Sequence, residues 1–153
     1  MQMKTIQPIH VLYFETKTSF NNIMQYVRVV AHRLYREAYR KNLEVTGPVY
    51  WIYIGADGSP ETQFNLSIAL PVSFSETELT DSEFKLKYLN PFNCVAGHLY
   101  GSWEGLGRMY SELASDLAAQ KLIMSGENRE IYLNMDFKNP ENNITEVQIG
   151  ITG

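Results

Sequence analysis

The pattern strand, helix, strand, strand is written twice along the chain, and no other feature constrains the fold as much. Trp51-Ile52-Tyr53 and Glu130-Ile131-Tyr132 are 79 positions apart (130 − 51). Ser67–Val72 lies over Glu146–Ile151 at the same offset, while the helix starts Phe20 and Trp103 differ by 83 (103 − 20). Two copies are too few for a solenoid. The simplest arrangement is an α+β fold made of a duplicated β-α-β-β unit with pseudo-twofold symmetry. Two long helices then cover one face of antiparallel sheets, and a ligand groove lies between the halves. Residues 1–153 form one domain, with repeat one at about 8–72 and repeat two at about 88–152.

In chain order, Ile9–Phe14 reads as a strand, and Thr18 and Ser19 are candidate caps for a helix from about Phe20 to Asn42. Phe20, Ile23, Met24, Val27, Ala31, Leu34 and Ala38 recur three or four apart and form its buried stripe. Arg28, Arg33, Arg36, Arg40 and Lys41 decorate the remainder, which reads as a solvated face. Gly47-Pro48 breaks the chain before strands at Val49–Ile54 and Phe64–Val72. Ser73–Lys87 is charged and irregular, a connector between the halves, and Asn93–Tyr100 is the next strand. Ser102 can cap a second helix that carries Trp103, Leu106, Tyr110, Leu113 and Leu117 and runs to about Lys121.

The last element is a hairpin of two alternating runs, Glu130–Asn134 and Ile144–Ile151. The alternation puts Ile131 and Leu133 on a core face with Val147, Ile149 and Ile151, and turns Glu130 and Tyr132 away from it. Trp51 and Tyr53 hold the same places in the first repeat, so all four side chains are expected to face the shared groove. An aromatic groove with one carboxylate suits flat, lipophilic ligands and above all cations, which ring faces attract by roughly 0.5–2 kcal/mol each.

The totals exclude several classes. A net charge of −4 and a pI near 5.4 do not suit a nucleic-acid surface. One cysteine, Cys94, allows no internal disulfide and fits a reducing compartment. No signal peptide and no apolar run of about 18 residues is seen. A cytoplasmic protein with no membrane contact and no direct nucleic-acid partner is expected. His10, His32 and His98 lack ligand spacing, so no metal is expected. No phosphate loop or serine elbow occurs, and no cofactor is implied.

Five pieces in order carry a resemblance. They are Gly47-Pro48-Val49-Tyr50-Trp51-Ile52-Tyr53, Leu66–Val72 ending in Leu70-Pro71-Val72, Tyr100-Gly101-Ser102-Trp103-Glu104-Gly105-Leu106, Glu130-Ile131-Tyr132 and Thr145-Glu146-Val147. Together they resemble the GyrI-like small-molecule-binding domains, which are similar to the effector-binding domains of multidrug-responsive transcription regulators. The resemblance implies a ligand held between two repeats, with the glutamate of the Glu-x-Tyr motif, here Glu130, at the base of an aromatic pocket. Tyr132 stands beside it, and Trp51, Tyr53, Trp103 and Tyr100 are the further ligand-binding candidates. Some stand-alone members hydrolyse reactive cyclopropane-containing compounds, and others shield gyrase.

Three departures stand out. The family's His-Gly-Pro-Tyr-like segment reads Tyr100-Gly101-Ser102-Trp103, and Ser67 replaces an acidic residue. No DNA-binding helix pair precedes Ile9 in this sequence, so regulation of transcription would run through a partner.

The leading reading is a stand-alone binding protein for lipophilic, aromatic or cationic compounds, with Glu130 as countercharge. The alternatives are a hydrolase of strained electrophiles in which Glu130 is the catalytic acid or base, and a gyrase-shielding protein. The plain alternative for Glu130 is a strand-end carboxylate in water, paired with Arg129. Trp103 can equally belong to the helix's core stripe.

Overall fold

The computed structural model describes residues 1–76 and 78–152. Thr77, within the connector expected at Ser73–Lys87, lies outside the described residues. The chain is α+β, with strands β1 (Gln2–Ile6), β2 (Ile9–Thr18), β3 (Tyr50–Ile54), β4 (Phe64–Pro71), β5 (Lys85–Leu89), β6 (Phe92–Tyr100), β7 (Met124–Asn134) and β8 (Ile144–Ile151). Helix α1 spans Val29–Arg40 and α2 spans Leu106–Ala119.

The strands divide between two compact units, one of Pro8–Asn90 and one of Met1–Gln7 with Pro91–Gly153. The first holds β3-β4-β2-β5 and the second β1-β6-β8-β7, antiparallel throughout. β1 and β5 were not expected from the sequence. Each leads directly into the first long strand of one repeat but pairs with that of the other. Ile6 faces Phe92 and Leu89 faces Ile9, and the two registers superpose at 83 residues (6 + 83 = 89; 9 + 83 = 92). Each unit therefore takes its outermost strand from the lead-in of the other repeat. Lys4 on β1 and Lys85 and Lys87 on β5 charge these edges, as edge strands require.

The two offsets in the sequence now have a location. Both helices end in the same way. Asn42 (φ 55°) and Lys121 (φ 58°) adopt the left-handed conformation, and 42 + 79 = 121. The Leu43 N–H donates to the Ala38 carbonyl at 2.8 Å and the Leu122 N–H to the Leu117 carbonyl at 2.9 Å, closing both helix ends. Four extra residues (83 − 79) therefore sit in repeat one between Phe20 and α1. There the chain forms a separate 3-10 turn, Ile23–Tyr26, and Arg28 takes φ 68°. A right-handed helix cannot pass through that residue, so the helix expected from Phe20 begins at Val29 instead. Of the expected stripe, Leu34 and Ala38 are buried together with Val30, whereas Met24 is 72% exposed. In repeat two the 3-10 turn Trp103–Gly105 runs straight into α2.

α1 packs on β2 and β4, and α2 on β6. Val95, Leu113, Leu117, Val147 and Ile149 form the core beneath α2, with Met109 and Tyr110 against it. Gly97 on β6 lets the helix come close, since a Cβ there would lie 2.9 Å from Met109 Cε. In the Pro8–Asn90 unit, Val11, Ile52, Ala69 and Leu89 form a cluster on one sheet face. Leu66, Ile68 and Leu70 are buried on the other face.

Candidate functional site

Cross-strand partners share a sheet face, and the observed register reverses the expected orientation of Glu130. Glu130 pairs with Val147, Tyr132 with Thr145 and Asn128 with Ile149, so Glu130 and Tyr132 lie on the face covered by α2. Ile131 pairs with Glu146 and belongs to the opposite face. The reversal has a simple cause: Glu130, Ile131, Glu146 and Val147 are all buried. When both faces are covered, alternation of residue type no longer says which face meets the helix. β3 behaves alike, with Trp51 opposite Ile68 and Tyr53 opposite Leu66.

Glu130 is 5% exposed. Its two oxygens accept from two phenols, Oε2 from the Tyr110 hydroxyl at 2.7 Å and Oε1 from the Tyr132 hydroxyl at 2.5 Å. Tyr110 projects from the second turn of α2, and Tyr132 follows two residues along β7 on the same face. A carboxylate that accepts on both oxygens is satisfied as an anion, which lowers the cost of burying its charge.

Trp103 completes the cluster. Gly101 (φ 112°) turns the chain after β6, and the Ser102 hydroxyl accepts from the Glu104 N–H at 3.2 Å, fixing the start of the 3-10 turn. The indole N–H of Trp103 donates to Thr145 Oγ1 at 3.0 Å. Its ring meets Tyr132 edge-on at 5.7 Å and Phe137 at 5.3 Å. These separations are those of favourable T-shaped aromatic pairs.

Three of the expected site residues, Glu130, Tyr132 and Trp103, are thus brought together, and Tyr110, Thr145 and Phe137 join them. Tyr110 had a readable signal: a tyrosine within an apolar helical stripe must find a partner for its hydroxyl. Tyr100 is not brought to this cluster. It is 74% exposed, its ring lies 6.5 Å from His98, and it shares the opposite face with His98 and Glu146. Trp51 and Tyr53 are buried in the Pro8–Asn90 unit, where the Tyr53 ring lies 6.0 Å from Phe20 and 5.7 Å from Phe64.

Arg129 does not bear out the plain pairing with Glu130. Its side chain lies on the opposite face, where Nε donates to Glu127 at 2.7 Å and the guanidinium sits 3.9 Å from the Phe92 ring centre. The same face carries Glu146, which accepts from Lys4 Nζ at 3.0 Å and Gln148 Nε2 at 2.5 Å and lies 2.9 Å from His98 Nε2. Burial pushes Glu146 up, but those hydrogen bonds and the charges of Lys4 and His98 outweigh it, leaving its carboxyl below the ordinary value. Burial, the dominant effect on Cys94, pushes its thiol up to about 11, so it is an inert core residue. Among the described residues no group of three or more His, Cys, Asp or Glu is placed to hold a metal ion. No helix among them is long and apolar enough to cross a membrane.

Two four-stranded antiparallel units, each with one helix, define a domain of the duplicated α+β class. The chain belongs to the GyrI-like small molecule binding domain family, whose profile it matches over residues 1–152. No curated protein matches the sequence. Among solved structures, the EcmrR C-terminal domain is 14% identical with a TM-score of 0.75, over 99% of this chain and 96% of that one. The chain spans 56% of EcmrR as solved in its DNA complex. SAV2435 bound to tetraphenylphosphonium is 14% identical with a TM-score of 0.67, covering 99% of this chain and 93% of that one. A hydrolase encoded by lin2189 from Listeria innocua is 15% identical with a TM-score of 0.69, over 99% and 91%. At these identities the likeness is one of fold.

Proposed function

We propose that the chain binds lipophilic, aromatic or cationic small molecules at the Glu130 cluster, with Glu130 as countercharge and Trp103 and Tyr132 as aromatic wall. Trp51 and Tyr53 belong to the same reading as further ligand-binding residues. The observation that carries it is the buried Glu130 carboxylate with one phenol on each oxygen. A carboxylate buried among aromatic rings offers a cation both a countercharge and ring faces. That SAV2435, a protein of the same fold, has been solved with the aromatic cation tetraphenylphosphonium supports this ligand class.

The test titrates wild type and Glu130→Gln with tetraphenylphosphonium and with neutral triphenylphosphine oxide, following tryptophan fluorescence. Glutamine keeps the shape and removes the charge. Loss of a desolvated ion pair of about 1.5–3 kcal/mol weakens the cation about 10–100-fold and leaves the neutral compound within about threefold. Equal affinity of both proteins for the cation would overturn the reading. A second reading has its own observation: a phenol 2.5 Å from a buried carboxylate is a possible proton relay, and a protein of this fold is described as a hydrolase. On that reading Glu130→Gln still binds a strained-ring electrophile but no longer consumes it.

A further inference from the structure

The outer face of α1 carries a stripe that neither the core nor the Glu130 cluster uses. His32, Tyr35, Arg36 and Tyr39 recur at i, i+3, i+4 and i+7 on one side of the helix. They line a cavity of about 610 Å³ together with Phe84 and two ion-paired carboxylates, Glu37 with Arg40 and Glu83 with Arg33. Tyr39 is 84% exposed, and Arg36 makes no ion pair or side-chain hydrogen bond among the described residues. The duplicated fold provides an internal control. At the 79-residue offset the counterparts on α2 are Ser111 (32 + 79), Ala114 (35 + 79), Ser115 (36 + 79) and Ala118 (39 + 79). The helix folds in this position with small residues there, so two tyrosines, a histidine and an arginine are not a requirement of the scaffold.

The same helix already holds an acidic segment of its own chain. Arg33 grips Glu83, the Arg40 guanidinium donates to the Asp81 carbonyl at 3.0 Å and Lys41 Nζ to the Thr80 carbonyl at 2.7 Å. Phe84 sits beneath Arg33, 5.6 Å from its guanidinium carbon. This is how an irregular acidic segment engages the helix, through carboxylate and carbonyl oxygens on its cations and an aromatic beneath. The stripe beside it repeats that chemistry without a partner for Arg36, on a chain whose net charge is −4. Tyrosine and arginine are also the residues most enriched where protein interfaces concentrate their affinity.

We propose that this stripe docks an acidic peptide segment of a partner protein. The carboxylates meet Arg36, and apolar or aromatic side chains meet Tyr35 and Tyr39. The sequence reading of these cations as a solvated face gives way also at Arg33, Arg40 and Lys41, which hold Glu83, Asp81 and Thr80 of the same chain.

The test is fluorescence anisotropy of the whole chain with a fluorescein-labelled peptide of alternating Glu and Tyr, beside a matched Lys and Tyr peptide and a DNA duplex. Saturable binding of the acidic peptide is expected, weakening about tenfold between about 0.05 M and 0.5 M salt as the charges are screened. Arg36→Glu and Tyr39→Ser should each weaken it about tenfold or more, with melting temperature unchanged because both side chains are on the helix surface. No saturable binding, binding that survives both substitutions, or tighter binding of the duplex at the same residues would each overturn the proposal.

Discussion

The two units place different chemistry on one scaffold. Trp51 faces Ile68 and Glu130 faces Val147 in the same register (51 + 79 = 130; 68 + 79 = 147). Each unit sets an aromatic residue from just beyond its first long strand against its tyrosine, Phe20 on Tyr53 at 6.0 Å and Trp103 on Tyr132 at 5.7 Å. Around that shared pair the residues change together. The helix position is Ala31 in one unit and Tyr110 in the other (31 + 79 = 110), and the facing strand has Phe64 and Leu66 against Asn143 and Thr145 (64 + 79 = 143; 66 + 79 = 145). Where the strand residue is a bulky indole, the helix above is small and the neighbours are apolar. Where it is a carboxylate, the helix supplies a phenol that donates to it beside that of Tyr132, while the neighbours accept from elsewhere, Thr145 from the Trp103 indole at 3.0 Å and Asn143 from the Asp136 N–H at 2.7 Å. A buried charge persists only where several donors are provided with it, and one unit provides them.

The largest effect that sharpens this contrast concerns volume. Leu117 and Ala38 are equivalent (38 + 79 = 117), and both are fully buried. Leu117→Ala should cost about 2–5 kcal/mol by leaving a cavity, and Ala38→Leu about 1–3 kcal/mol by overpacking, both read by urea denaturation. If Ala38→Leu proved neutral, the two cores would not be separately fitted.

Smaller, and aimed at the carboxylate itself, is a double-mutant cycle of Tyr110→Phe and Glu130→Leu. Tyr110→Phe removes one donor and should cost about 1 kcal/mol, while Glu130→Leu leaves phenol hydrogens without their acceptor and should cost about 2 kcal/mol. In the double variant the losses should fall short of their sum by about 0.5–1 kcal/mol, because the two groups act on one bond. Additivity would mean that the hydrogen bond at 2.7 Å contributes nothing.

Much of this was legible in the sequence. The duplication, both helices, the hairpin and the equivalence of Trp51-x-Tyr53 with Glu130-x-Tyr132 follow from spacing alone. The family was legible as a resemblance carried by five short pieces in order. The facing of Glu130 was not legible, because Ile131 and Val147 look like one apolar face but sit on opposite sides of a sheet buried on both. β1 and β5 were missed because five-residue edge strands bearing lysines resemble loops. The difference between offsets of 83 and 79 was visible, but only the backbone shows it absorbed at Arg28.

The finest contrast lies on the helices. Glu37 on α1 is buried, whereas its counterpart on α2, Asp116 (37 + 79 = 116), is exposed. Arg40 Nε donates to Glu37 Oε1 and the Ser82 hydroxyl to Oε2, each at 2.7 Å. The Arg40 hydrogen bond is the leading cause that holds the Glu37 carboxyl below its ordinary value of 4.5, against the opposing effect of burial. A carboxyl whose folded value is depressed binds its proton more readily in the unfolded chain. Its stabilisation is therefore complete above the unfolded value and drains away as pH falls through the folded one. Glu37→Gln should thus cost about 1 kcal/mol near neutral pH, and the deficit should shrink as the pH drops below 4.5. Asp116→Asn should stay within about 0.5 kcal/mol throughout, as an exposed substitution. Urea midpoints measured for both variants and wild type down to strongly acid pH decide it. A deficit for Glu37→Gln that stays constant with pH would make this residue's role one of packing, with no share in the acid sensitivity of its unit.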